Sequence, residues 1–95
     1  MTVEELRTEL EKIVLDLSVS GFNNMDPGTV EKLDRFGIIA GELGMKEGRR
    51  LIDNLSGIVK AIQEGRSKIE SGNLRLTALD FYVKKISGSE GIEEL

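Results

Sequence analysis

Leu51-Ile52-Asp53-Asn54-Leu55-Ser56-Gly57-Ile58-Val59-Lys60-Ala61-Ile62 is the stretch that decides the fold class. Leu51, Leu55, Ile58 and Ile62 recur at steps of four, three and four, the ladder of one helix face. Ile52 and Val59 widen that face beyond the strip a surface helix needs, so neighbours must cover this helix on more than one side. The surrounding residues predict a helix over about 46–65. No stretch alternates apolar and polar residues with a period of two, so the covering neighbours are expected to be helices as well.

Upstream, Asp26-Pro27 reads as an N-cap followed by proline at the first helical position, where its missing N–H costs nothing. Val30, Leu33, Phe36 or Gly37, Ala40 and Leu43 continue at helical spacing, predicting a helix over about 27–43 with Gly44 as its stop. Further back, Val3, Leu6, Leu10, Ile13 and Leu17 paint one stripe, and Thr2 with Glu5 fits a capping box, so a first helix is expected over about 2–18. Ser20, Gly21, Asn23 and Asn24 favour a turn between the two. Downstream, Gly65 to Asn73 reads as a connection in which Ser67 and Glu70 form a second capping pattern that can add a turn. A last helix follows over about 73–86, with Leu76, Leu79, Val83 and Ile86 on one face and Leu74, Ala78 and Phe81 on another. Residues 87–95 read as a flexible acidic tail. The expectation is a single all-α domain over 1–86, a small antiparallel bundle of about four helices.

Composition narrows the chemistry. The 95 residues are 39% hydrophobic and 32% charged, which suits a small folded domain and not a disordered chain. There is no cysteine and no histidine, which removes thiolate nucleophiles, disulfides, cysteine-ligated metals and the commonest acid–base group. Asp16, Asp26, Asp34, Asp53 and Asp80 have no metal-loop spacing, and Ser56 has neither a Gly-x-Ser-x-Gly frame nor a histidine to activate it. No catalytic residue, metal site or cofactor is therefore expected. The longest apolar run, around Ile38-Ile39-Ala40, is far too short for a membrane span of about 20 residues. The acidic start, Met1-Thr2-Val3-Glu4-Glu5, does not resemble a signal peptide, so a cytoplasmic setting is expected.

Two features are candidates for binding. The first is apolar and glycine-rich. Leu74, Ala78, Phe81 and Tyr82 give the last helix more apolar surface than one core stripe uses, with the aromatic pair as expected anchors for a protein partner or a second copy of the chain. Gly37, Gly41, Gly44 and Gly48, and separately Gly57, Ala61 and Gly65, recur at helical spacing. Such small residues line either a groove for a partner helix or a tight crossing inside the bundle. A homodimer is the expected assembly.

The second candidate is basic. The chain carries a net charge of −4, which argues against broad nucleic-acid binding, but residues 45–68 hold six basic groups against three acidic ones. Lys46, Arg49 and Arg50 gather where a helix begins and could hold an anion. Ile39-Ala40-Gly41-Glu42-Leu43-Gly44-Met45 resembles the first helix and turn of a helix-turn-helix motif, over about residues 38–55. The resemblance implies a DNA-binding regulator in which Arg49 and Arg50 touch phosphates and Lys46 reaches a base edge. It departs from the motif where Arg49 or Arg50 takes the apolar position of the second helix.

Overall fold

A computed structural model describes residues 1–89. Four helices follow one another: α1 (Val3–Ser20), α2 (Thr29–Glu42), α3 (Lys46–Gln63) and α4 (Ile69–Ser89), with a single 3-10 turn at Phe22–Asn24 between the first two. They form a small all-α four-helix bundle. α3 packs most extensively on α2 and then on α4, while α1 lies against α4 and, less closely, against α2. The body measures 39 × 21 × 18 Å.

The helix ends have local causes. At the start of α1, Glu5 N–H donates to Thr2 Oγ1 at 3.1 Å and Thr2 N–H donates to Glu5 Oε1 at 2.9 Å, closing the expected capping box. α2 and α3 both end in a Schellman motif around a left-handed glycine, Gly44 (φ 80°) and Gly65 (φ 76°). Met45 N–H reaches back to Ala40 O at 2.9 Å, and Arg66 N–H to Ala61 O at 2.7 Å. Each bond satisfies a carbonyl that the helix end would otherwise orphan.

Two helix starts differ from the expected ones. α2 begins at Thr29, because Asp26 does not cap it: the Asp26 carboxylate accepts from Gly28 N–H at 3.0 Å and the Asp26 carbonyl accepts from Thr29 N–H at 3.0 Å. Asp26-Pro27 therefore closes a turn ahead of the helix. α4 begins at Ile69, a full turn before residue 73, so the end of the expected connection is already helical. Gly72, which looks like a breaker, is instead a point of close approach. A Cβ there would lie 2.8 Å from both Ile62 Cδ1 and Phe22 Cζ. α4 also continues to Ser89, so part of the expected tail is helical, and the remainder of it lies outside the described residues.

The core takes one face from every helix. Leu6 and Leu10 of α1, Leu33 and Ala40 of α2, Ile52, Leu55 and Val59 of α3, and Leu79 of α4 are completely shielded from solvent. Removing each large aliphatic side chain from water contributes about 1.5–3 kcal/mol. Phe22 and Met45, in the connections, close the ends.

Candidate interaction surface

α4 has apolar residues on both its inner and its outer side. Leu76, Leu79, Val83 and Ile86 enter the core, while Leu74 and Phe81 remain 67% and 72% exposed. Leu74, Ala78 and Phe81 are spaced four and three apart and so share one side of the helix, with Ala78 half-buried between them. Tyr82 is turned about 100° from Phe81 by the helical repeat, which places it in the core. Its ring covers Gly48 of α3, where a Cβ would meet Tyr82 Cε2 and Oη at 3.0 Å.

The glycine ladder is internal packing between helices. Gly37 is covered by Asp53 and Ile52 of α3, and Gly41 lies under the Arg49 side chain. Gly44 and Gly65 are helix stops. Gly57 is exposed with nothing within 4 Å of its would-be Cβ, whereas Ala61, four residues on, is buried. Of the sequence candidates for a contact face, the structure brings together Leu74, Ala78 and Phe81 on one side of α4. Gly57 faces solvent on a different helix, and Tyr82 and Ala61 belong to the interior.

Lys46, Arg49 and Arg50 are all exposed in the first turns of α3. Arg50 grips Glu47 with both Nε, at 3.1 Å, and Nη2, and this hydrogen bonding holds the Glu47 carboxyl below its usual range. Arg49 Nε lies 3.6 Å from Asp53 Oδ2. Each of these exposed ion pairs offsets part of the positive charge that the segment would present to a phosphate. The α2–turn–α3 unit of the helix-turn-helix resemblance exists, but Gly48, Leu51, Ile52 and Leu55 turn one side of α3 into the bundle.

A polar clasp joins α2 to α3. Ser56, 2% exposed, donates its hydroxyl to Asp34 Oδ1 at 2.5 Å, and Lys60 Nζ lies 3.3 Å from Asp34 Oδ2. The Ser56 hydrogen bond, helped by Lys60, keeps the Asp34 carboxyl below its ordinary range. The ionised Asp34 carboxylate thus ties α2 to α3 through Ser56 and Lys60. A shallow depression of about 280 Å³ at the end of α3 is lined by Phe22, Asn23, Met25, Ile62 and Gln63, with no charged group among them. Among the described residues, no group of three or more acidic side chains is placed to hold a metal ion, and no helix is long and apolar enough to cross a membrane.

One apolar pair escaped the sequence reading. Leu15 and Val19 of α1 are 65% and 77% exposed, on the side of the helix away from Leu6, Leu10 and Leu17. The available signal was their position off the stripe that Val3, Leu6, Leu10, Ile13 and Leu17 define. Comparison of the chain with protein-family models, with curated proteins and with solved structures found no match.

Proposed function

We propose that this chain is a small interaction module, without catalytic chemistry of its own, that associates with a second copy of itself through the outer side of α4. The observation that carries this reading is the exposure of Leu74 and Phe81 on one helix side, at 67% and 72%. Aromatic side chains are frequent anchors of interface energy, and Phe81 has no core role to explain it. The competing reading, a helix-turn-helix DNA binder, has less support, since Arg49 and Arg50 are engaged with Asp53 and Glu47 and the chain is acidic.

Light scattering over a wide concentration range, on the native chain and on Phe81→Ser, tests the proposal. The native mass should rise above the 10.5 kDa of one chain as concentration increases. Phe81→Ser should stay monomeric with unchanged helix content by circular dichroism. A native protein that remains monomeric throughout, or a variant that associates as well as the native chain, would overturn it. Salt-dependent binding of duplex DNA, lost in Arg49→Ala plus Arg50→Ala, would favour the competing reading instead.

A further inference from the structure

Self-association through α4 leaves open how the second copy meets it. We propose that two copies pair α4 against α4 in antiparallel orientation, with Leu74 of each copy against Phe81 of the other and Glu70 of each against Lys85 of the other. This inference rests on the self-association proposed above. Glu70, Leu74, Phe81 and Lys85 are all exposed, and steps of four, seven and four keep them within an arc of about 60° on the outer side of α4. Thr77, exposed, and Ala78, half-buried, stand midway between Leu74 and Phe81 and leave room for a second helix to approach.

The order of these residues selects the pairing. Glu70 stands four residues before Leu74 and Lys85 four after Phe81, so turning α4 end for end places leucine where phenylalanine was and acid where base was. A two-fold axis between Thr77 and Ala78 therefore makes each of these contacts twice. A parallel pair would instead set Glu70 on Glu70 and Lys85 on Lys85, and would align the two helix dipoles. Neither Glu70 nor Lys85 belongs to an ion pair among the described residues, although Lys85 lies near enough to Glu47 to help hold its carboxyl below the usual range. Of the other charges on the helix, Lys84 is tied to Asp80 at 3.0 Å, and Arg75 is turned about 100° from Leu74.

Charge reversal tests this by light scattering at low salt, with circular dichroism as the check on folding, in Glu70→Lys, Lys85→Glu and the two combined. Both positions are exposed, so helix content should be retained. Each single reversal sets like charges together twice and should raise the concentration needed for dimerisation by at least about fivefold. The combined variant restores opposite charges across the axis and should associate within about twofold of the native chain. Single reversals that change nothing, opposite effects from the two, or a combined variant as weak as the singles would overturn the antiparallel pairing. If Phe81→Ser nevertheless abolishes association, the α4 reading stands with a different receiving surface. A native chain that is monomeric throughout would remove both proposals.

Discussion

α3 and α4 carry comparable apolar content and use it in opposite ways. In α3, Leu51, Ile52, Leu55 and Val59 form one broad arc that is fully enclosed, and the remaining side presents Lys46, Arg49, Asp53 and Lys60 to water. In α4 the apolar residues are dealt to two sides, with Leu76, Leu79 and Val83 buried and Leu74 and Phe81 exposed. A broad continuous arc means that a helix is surrounded by its own chain. A second arc facing away from the first has nothing within the bundle to meet. What separates the two helices is the angular distribution of apolar residues, and it is the part of the sequence pattern on which the proposed self-association rests.

The sharpest way to break this contrast is truncation. Leu55→Ala in α3 should lower unfolding free energy by about 2–5 kcal/mol, the cost of a cavity in a closed core. Phe81→Ala should change it by less than about 0.5 kcal/mol, if both are measured by denaturant at a concentration where the protein is monomeric. Similar losses at the two sites would mean that Phe81 is a core residue and the contrast is false. Next in size is Gly48→Ala. The new methyl would press on the Tyr82 ring at 3.0 Å, and a net loss of about 1 kcal/mol should remain after the gain in helix propensity.

Ser56 is the polar exception within α3's enclosed side. Ser56→Ala should cost about 1 kcal/mol near neutral pH. Because folding holds the Asp34 carboxyl below its ordinary value, the stabilisation is complete above about pH 4 and is lost as acid protonates the folded carboxylate. The stability difference between native and variant should therefore shrink on acidification, and a difference that is constant with pH would remove Asp34 from the account. Apart from Phe81, the smallest effect is expected at Gly57. Gly57→Ala should stabilise by about 0.5–1 kcal/mol, since nothing lies within 4 Å of the added carbon, and should leave self-association unchanged.

Much of this architecture was legible in the residues. The stripes of α1 and α3, the Thr2–Glu5 box and the stop at Gly44 are local features whose physics is complete within a few residues. The start of α4 was harder to place because Gly72 obeys a tertiary rule: it is small where Phe22 and Ile62 crowd in from elsewhere in the chain. Asp26-Pro27 misled for a related reason, since an aspartate ahead of proline can cap a helix or close a turn with the same side chain. At the candidate surface, the surplus of apolar residues on α4 was visible, but Phe81 and Tyr82 were indistinguishable as neighbours. Their separation depends on where α3 presents Gly48.

The two glycine stops also constrain how the chain can change length. α3 spans 18 residues, about five whole turns, and is bracketed by Gly44 and Gly65. One inserted residue between them would swing everything beyond it by about 100°, carrying core side chains outward and shifting Gly65 from the place where its left-handed backbone is needed. In the α1–α2 connection the left-handed Gly21 and the buried Phe22 fix the first residues, but Asn23, Asp26 and Pro27 beyond them are exposed. A loop extension, an inserted peptide tag or a new chain break should be tolerated there, and α3 should behave as the fixed ruler of the scaffold.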